Sequence, residues 1–148
     1  TGLYGLIGDP VEHSLSPPMH NACFPALGLD CAYLAFRVEA GTLAQAIQGM
    51  RGLGIRGLNV TIPHKVVVIP LLDRLDMLAA KIGAVNTIAS DGGRLVGYNT
   101  DAGGFLQAML AKGLEPQGKN AVVVGAGGVS VCLVSEARWS KTLSSYSA

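Results

Sequence analysis

Three short apolar runs alternate with two segments of helical periodicity, and that alternation leaves few folds open. The runs are Leu3–Gly8, Cys31–Val38 and Gly57–Ile62. Each is bounded by Gly, Pro or Asp, which is the length and punctuation of a buried strand. After the first run, Ser16-Pro17 offers a helix start, a capping hydroxyl followed by proline at the first helical position. That helix is expected to reach about Leu27, with Gly28 closing it. After the second run, Leu43, Ala46, Ile47 and Met50 recur at helical spacing from Thr42, the expected cap, to about Arg51. Gly52 and Gly54 end this helix. Strand, helix, strand, helix, strand is the order of parallel βαβ units with right-handed crossovers. The fold class is therefore α/β, in three layers.

Further along, Val66–Leu72 is ambiguous, since its valines favour a strand and Pro70 sits badly inside one. A short helix is expected there, then a second over Leu75–Ile82. Ala84–Ala89 and Arg94–Tyr98 flank Ser90-Asp91-Gly92-Gly93, a hairpin signal. One antiparallel strand thus joins a mostly parallel sheet. Asn99-Thr100-Asp101 leads into a helix to about Lys112, with Phe105, Leu106, Met109 and Leu110 as its apolar face. Gly113–Gly118 is a connection.

A new unit then begins. Asn120–Val124 reads as a buried strand, followed by Gly125-Ala126-Gly127-Gly128 and a helical stretch from Val129 to Ala137. A bare glycine backbone at a helix amino end accepts a pyrophosphate. An ordinary βα turn is the plain reading of the same residues. Such a unit should continue to a second strand carrying a ribose-reading residue about 20 residues on. Trp139–Ala148 shows no apolar strand, so the unit reads as incomplete.

Hydrophobic residues make up 49% of the 148 and charged residues 14%, ample for a core. The net charge of +1 gives no electrostatic case for nucleic acid or an anionic membrane. No apolar run approaches the roughly 20 residues that span a bilayer. Cys23, Cys31 and Cys132 have no CxxC spacing, and His13, His20 and His64 are not paired with them. They read as reduced cysteines of a cytoplasmic protein, with no metal site. The amino terminus lacks both an initiator Met and a signal-peptide pattern, so it reads as trimmed.

Four polar clusters fall at strand ends or helix starts: Ser14/Ser16, Asn59/Thr61/Lys65, Asn86/Thr87 and Asn99/Thr100/Asp101. In a parallel sheet such ends lie on one rim and converge. Hydroxyls and amides suit a small polyol or carboxylate because they donate and accept. Lys65 with Asp101 forms an acid–base pair able to shuttle a hydroxyl proton, provided burial brings the lysine toward neutrality. Each cluster also has a structural reading: Ser14 and Ser16 as helix caps, Asn86 as a turn residue, Asp101 as a cap, the histidines as packing.

Together, Ser14-Leu15-Ser16-Pro17-Pro18-Met19-His20-Asn21, Asn59-Val60-Thr61-Ile62-Pro63-His64-Lys65, Gly83-Ala84-Val85-Asn86-Thr87 and Gly97-Tyr98-Asn99-Thr100-Asp101 resemble the successive signatures of the shikimate dehydrogenase family, over Leu3 to Gly128. The resemblance implies NADPH-dependent reduction of 3-dehydroshikimate to shikimate in aromatic amino-acid biosynthesis. It implies a substrate domain over residues 1–101, a linking helix and connection over 102–118, and the start of an NADP-binding Rossmann domain over 119–148. By the same resemblance Ser14 and Ser16 hold the substrate carboxylate. Asn59, Thr61, Asn86 and Asp101 bind the ring hydroxyls. Lys65 is the catalytic acid–base with Asp101 as partner, and Gly125, Ala126, Gly127 and Gly128 begin the NADP diphosphate loop. Ser16 in place of a threonine favours shikimate over quinate. After Gly128 the pattern departs: the remaining Rossmann strands, the Asn-Arg motif and the carboxyl-terminal helices of the family have no counterpart. The tail reads as truncated or frame-shifted, which implies impaired activity, with a non-catalytic shikimate-binding fragment or a quinate-using relative as alternatives. Self-association through 119–148 is expected, since an incomplete unit leaves apolar surface unpartnered.

Overall fold

The computed structural model describes residues 1–121 and 141–142. A six-stranded sheet organises them. Its strands are β1 (Gly2–Gly8), β2 (Cys31–Arg37), β3 (Gly57–Val60), β4 (Arg74–Leu75), β5 (Thr87–Asp91) and β6 (Arg94–Tyr98), in the order β2-β1-β3-β5-β6-β4. β5 pairs antiparallel with both β3 and β6, while β1 with β2, β1 with β3 and β4 with β6 pair in parallel. One strand thus runs against the rest, as expected from the hairpin. Its turn is Gly92-Gly93, at φ of 56° and 83°. Two consecutive positive φ values make the turn that matches strand twist, and glycine adopts them without a Cβ penalty.

Helices cover both faces. α1 (Ser16–Ala26) packs Phe24 onto Tyr4, Leu6 and Tyr33, while α2 (Leu43–Gly52) sets Leu43, Ile47 and Met50 against Ile7, Leu58, Val60 and Ile88. The period of two along a strand explains the division: Tyr4 and Leu6 face α1, Leu3 and Ile7 face α2. α3 (Met77–Ile82) and α4 (Asp101–Ala111) follow the later strands. β2 is an edge strand whose outward backbone would lack partners. Asn21 of α1 supplies them, donating to the Tyr33 carbonyl at 2.8 Å and accepting from the Tyr33 N–H at 2.9 Å.

β1 and β2 approach closely at Gly5. A Cβ there would lie 2.6 Å from both the Leu34 carbonyl oxygen and the Phe36 ring. Gly5→Ala is expected to cost about 1–3 kcal/mol through this overpacking, read as a lower urea midpoint with unchanged m.

Several local expectations are corrected. Ser16 is the first residue of α1 rather than its cap; the Ser14 hydroxyl accepts from the Ser16 N–H at 3.2 Å. Thr42 stands at the cap position of α2, but its hydroxyl donates to the Glu39 carbonyl at 3.1 Å. Thr42 ends a 3-10 turn over Ala40–Thr42, which turns its side chain backward. Val66–Leu72 forms turns and a 3-10 segment, Ile69–Leu71, instead of a helix; Pro70 permits one short turn and no longer ladder. Arg74–Leu75, expected at the edge of a helix, adds strand β4 beside β6. Asp76 then caps α3, accepting from Ala79 and Leu78. The strand expected over Ala84–Ala89 begins only at Thr87. Finally, β7 (Asn120–Ala121) pairs in parallel with β8 (Lys141–Thr142), so the last unit does have a second, two-residue strand. Val124, the glycine loop and the helical stretch after it lie outside the described residues.

Candidate active site

Topology brings the four polar clusters to one rim. β1, β3 and β6 run in the same direction, so Ser14, Thr61/Lys65 and Asn99/Asp101, which follow them, share an end of the sheet. β5 runs the other way, so its start lies at that same end, and Thr87 pairs with Asn59. The backbone locks the segments together: the Lys65 carbonyl accepts from Val85 N–H at 2.7 Å and the Asn86 carbonyl from Val60 N–H at 2.8 Å.

At the centre, Lys65 Nζ donates to Asp101 Oδ2 at 2.6 Å, with side chains 15% and 32% exposed. The other carboxylate oxygen, Oδ1, accepts from Asn86 Nδ2 at 2.8 Å. Asp101 is free for this because it does not cap α4. Asn99 Oδ1 does, accepting from Asp101 and Ala102 N–H. Asn86 is 7% exposed and fully engaged: Nδ2 also donates to Thr100 Oγ1 at 2.8 Å, while Oδ1 accepts from Thr100 N–H at 2.9 Å and Thr87 Oγ1 at 3.0 Å. A part-buried ammonium beside a carboxylate that Asn86 also holds can pass a proton to and from an alcohol.

Ser14, Ser16 and Thr61 line a cleft of about 310 Å³ with Pro10, Val11 and His13. Lys65 and Asp101 do not line that cleft. A line of side-chain bonds runs toward the pair from Tyr33, whose phenol donates to Asn59 Oδ1 at 2.6 Å, while Asn59 Nδ2 donates to Thr87 Oγ1 at 3.1 Å. Tyr33 is the contributor that the sequence pattern missed. Thr87 stands in the Asn86/Thr87 cluster, which assigned it no role of its own. Tyr33 shows no local signal, because its reach depends on β2 and β3 both flanking β1.

Among the histidines, His64 is fully buried and its Nε2 donates to the Val38 carbonyl at 2.6 Å. His20 stacks on Tyr33 with ring centroids 4.3 Å apart. Both make packing contacts, while His13 lines the cleft. No group of three His, Cys, Asp or Glu side chains able to hold a metal occurs among the described residues. Gly125, Ala126, Gly127 and Gly128 lie outside them.

Burial pushes the Tyr33 phenol up to about 12, with a hydrogen bond to Ser16 pulling the other way. An unfolded tyrosine ionises near 10. The native state therefore keeps a proton that the unfolded chain loses first. The stabilisation is complete below pH 10 and is lost as pH rises toward 12. The urea midpoint is expected to fall across that window, and Tyr33→Phe is expected to flatten the fall.

The model for the shikimate dehydrogenase substrate binding domain matches residues 6–88. The chain belongs to the shikimate dehydrogenase family. It is 55% identical over 130 residues to the shikimate dehydrogenase (NADP(+)) of Moorella thermoacetica, covering 88% of this chain and 44% of that protein. The shikimate dehydrogenase structure from Aquifex aeolicus superposes with a TM-score of 0.92 at 42% identity, over 96% of this chain and 54% of that one. The Thermus thermophilus enzyme in complex with NADP(H) and shikimate superposes with a TM-score of 0.83 at 39% identity, over 90% of this chain and 50% of that one. The chain thus spans about half the length of the shikimate dehydrogenases it matches. The fold of the described residues is that of the family, and the four signatures fall within or beside the matched segment.

Proposed function

We propose that this chain carries the substrate side of an NADP-dependent shikimate dehydrogenase, which interconverts 3-dehydroshikimate and shikimate. The observation that supports it most is the Lys65–Asp101 pair, held by Asn86 on the rim that also presents Ser14, Ser16 and Thr61. In this reading Ser14 and Ser16 hold the substrate carboxylate through their hydroxyls. Asn59, Thr61, Asn86 and Asp101 orient the ring hydroxyls. Lys65 delivers the proton to the carbonyl oxygen as it becomes an alcohol, and Asp101 stabilises its ammonium form. NADPH, when bound, supplies the hydride.

Residues 1–101 form the substrate-binding unit, 102–118 the linking helix and connection, and 119–148 the start of the cofactor unit. The parallel pairing of β7 with β8 across a connection containing Gly125–Gly128 fits such a unit, since parallel strands need a crossover of a dozen residues or more. Ser16 in place of a threonine favours shikimate over quinate, and relative rates on shikimate, quinate and an aminated analogue decide among them. Cys23 and Cys31 are unpaired, which supports a cytoplasmic, reducing setting. Self-association through 119–148 follows from the apolar surface that an incomplete unit leaves unpartnered. Sedimentation tests it: a monomer at high concentration would refute it.

The reaction is tested in a chimera joining residues 1–118 to the cofactor domain of the Moorella relative. NADPH formation from shikimate, with much slower turnover of quinate, is the expected outcome. A folded chimera that binds NADP+ and oxidises neither compound would sink the proposal. The 148-residue chain itself, assayed the same way, separates an active enzyme from a non-catalytic shikimate-binding unit.

A further inference from the structure

The side-chain hydrogen bonds from Tyr33 to Asp101 all point one way, and Lys65 donates to the same carboxylate from the other side. The Tyr33 phenol donates to Asn59 Oδ1 at 2.6 Å, Asn59 Nδ2 donates to Thr87 Oγ1 at 3.1 Å, and the Thr87 hydroxyl donates to Asn86 Oδ1 at 3.0 Å. Asn86 Nδ2 donates to Asp101 Oδ1 at 2.8 Å, and Lys65 closes the series on Asp101 Oδ2 at 2.6 Å. An amide has one accepting and one donating end, and a hydroxyl has a single proton to give. Each link therefore sets the sense of the next. The phenol, kept protonated by burial, presents a donor at the start, and the Asp101 carboxylate presents only acceptors at the finish.

We propose that Thr87 is a positioning residue of this site: its hydroxyl fixes the orientation of the Asn59 and Asn86 amides together, coupling Tyr33 to the Lys65–Asp101 pair. Shikimate as the ligand rests on the function proposed above; the coupling itself does not. Thr87 is the sole side-chain bridge between the two asparagines among the described residues. Without its hydroxyl, Asn59 Nδ2 keeps only the long 3.4 Å approach to the Asn86 carbonyl. Asn86 Oδ1 keeps only the Thr100 N–H at 2.9 Å. Asn59 then loses the acceptor that holds its donating end toward Asn86, and the amide turns more freely. Nothing in the strand demands a threonine for packing, since valine has the same shape and suits β5 equally well.

The test compares the 148-residue chain with Thr87→Val and Thr87→Ser, using hydrogen exchange of the Asn59 and Asn86 side-chain amides and the Kd for shikimate. Thr87→Val is expected to speed amide exchange and raise Kd, each by about tenfold, the scale of one lost hydrogen bond. Thr87→Ser, which restores the hydroxyl, is expected to stay within about twofold of the parent on the same scale. A merely structural role for the β-branched side chain would give the reverse order, with serine the poorer. Unchanged exchange and Kd in Thr87→Val, or equal impairment in both variants, would overturn the proposal. Should the parent chain fail to bind shikimate, the ligand assignment falls, and the exchange measurements still decide the role of Thr87.

Discussion

Lys65→Ala, placed in the chimera with a complete cofactor domain, is expected to lower kcat by about 10²- to 10⁴-fold, the range for loss of a positioned acid–base group. KM is expected to move far less. The asymmetry follows from where the lysine acts. Its partner is Asp101, whose other oxygen Asn86 holds, so the ammonium has a fixed partner before substrate arrives. In the proposed reaction its proton matters most as charge builds on the reacting oxygen, and an interaction made mainly in the transition state appears in kcat. The alanine variant leaves Asp101 its bond from Asn86, so the carboxylate keeps its place. Steady-state rates with saturating NADP+ check this directly. Near-parental kcat in a folded variant would remove Lys65 from the chemistry.

Asn86→Ala is expected to damage both the fold and the site. The side chain joins Thr100, Asp101 and Thr87 while almost fully buried. Its loss takes the Oδ1 acceptor from the exposed Thr100 N–H and the half-buried Thr87 hydroxyl and both donors from Thr100 and Asp101, and each lost hydrogen bond is worth about 0.5–1.5 kcal/mol. A stability loss of about 2–4 kcal/mol is expected on that basis, seen in urea unfolding. Shikimate binding is expected to disappear at temperatures where the variant is still folded, because Asp101 loses one of its two anchors. A variant that unfolds earlier but binds normally would mean that Asn86 serves the fold alone.

Much of this arrangement was visible before the structure. Ser14, Thr61, Lys65 and Asp101 follow strands, Asn59 lies near the end of β3 and Asn86 stands just before β5, so their shared rim follows from the sheet's topology. The hairpin turn was legible because Gly92 and Gly93 have few other uses between two apolar runs. The misses arise where neighbours in space outrank neighbours in sequence. Ser16 and Thr42 are good capping residues, yet the chain enters α1 and α2 through turns that occupy their hydroxyls or backbone differently. Arg74–Leu75 is too short to carry a pattern and becomes a strand only because β6 offers it an edge. Tyr33 contributes through the order β2-β1-β3, which no local spacing encodes. Thr87 has no role of its own in its motif, and its bridging role appears only once Asn59 lies opposite it.

The central claim is that these residues form a shikimate site built around Lys65 and Asp101. Titrating shikimate into the isotopically labelled 148-residue chain tests it most directly. Saturable shifts are expected at Ser14, Ser16, Thr61, Lys65, Asn86 and Asp101, weaker with quinate and lost in Asn86→Ala. A folded chain that shows no saturable shifts, or shifts confined to surfaces away from those residues, would contradict the account.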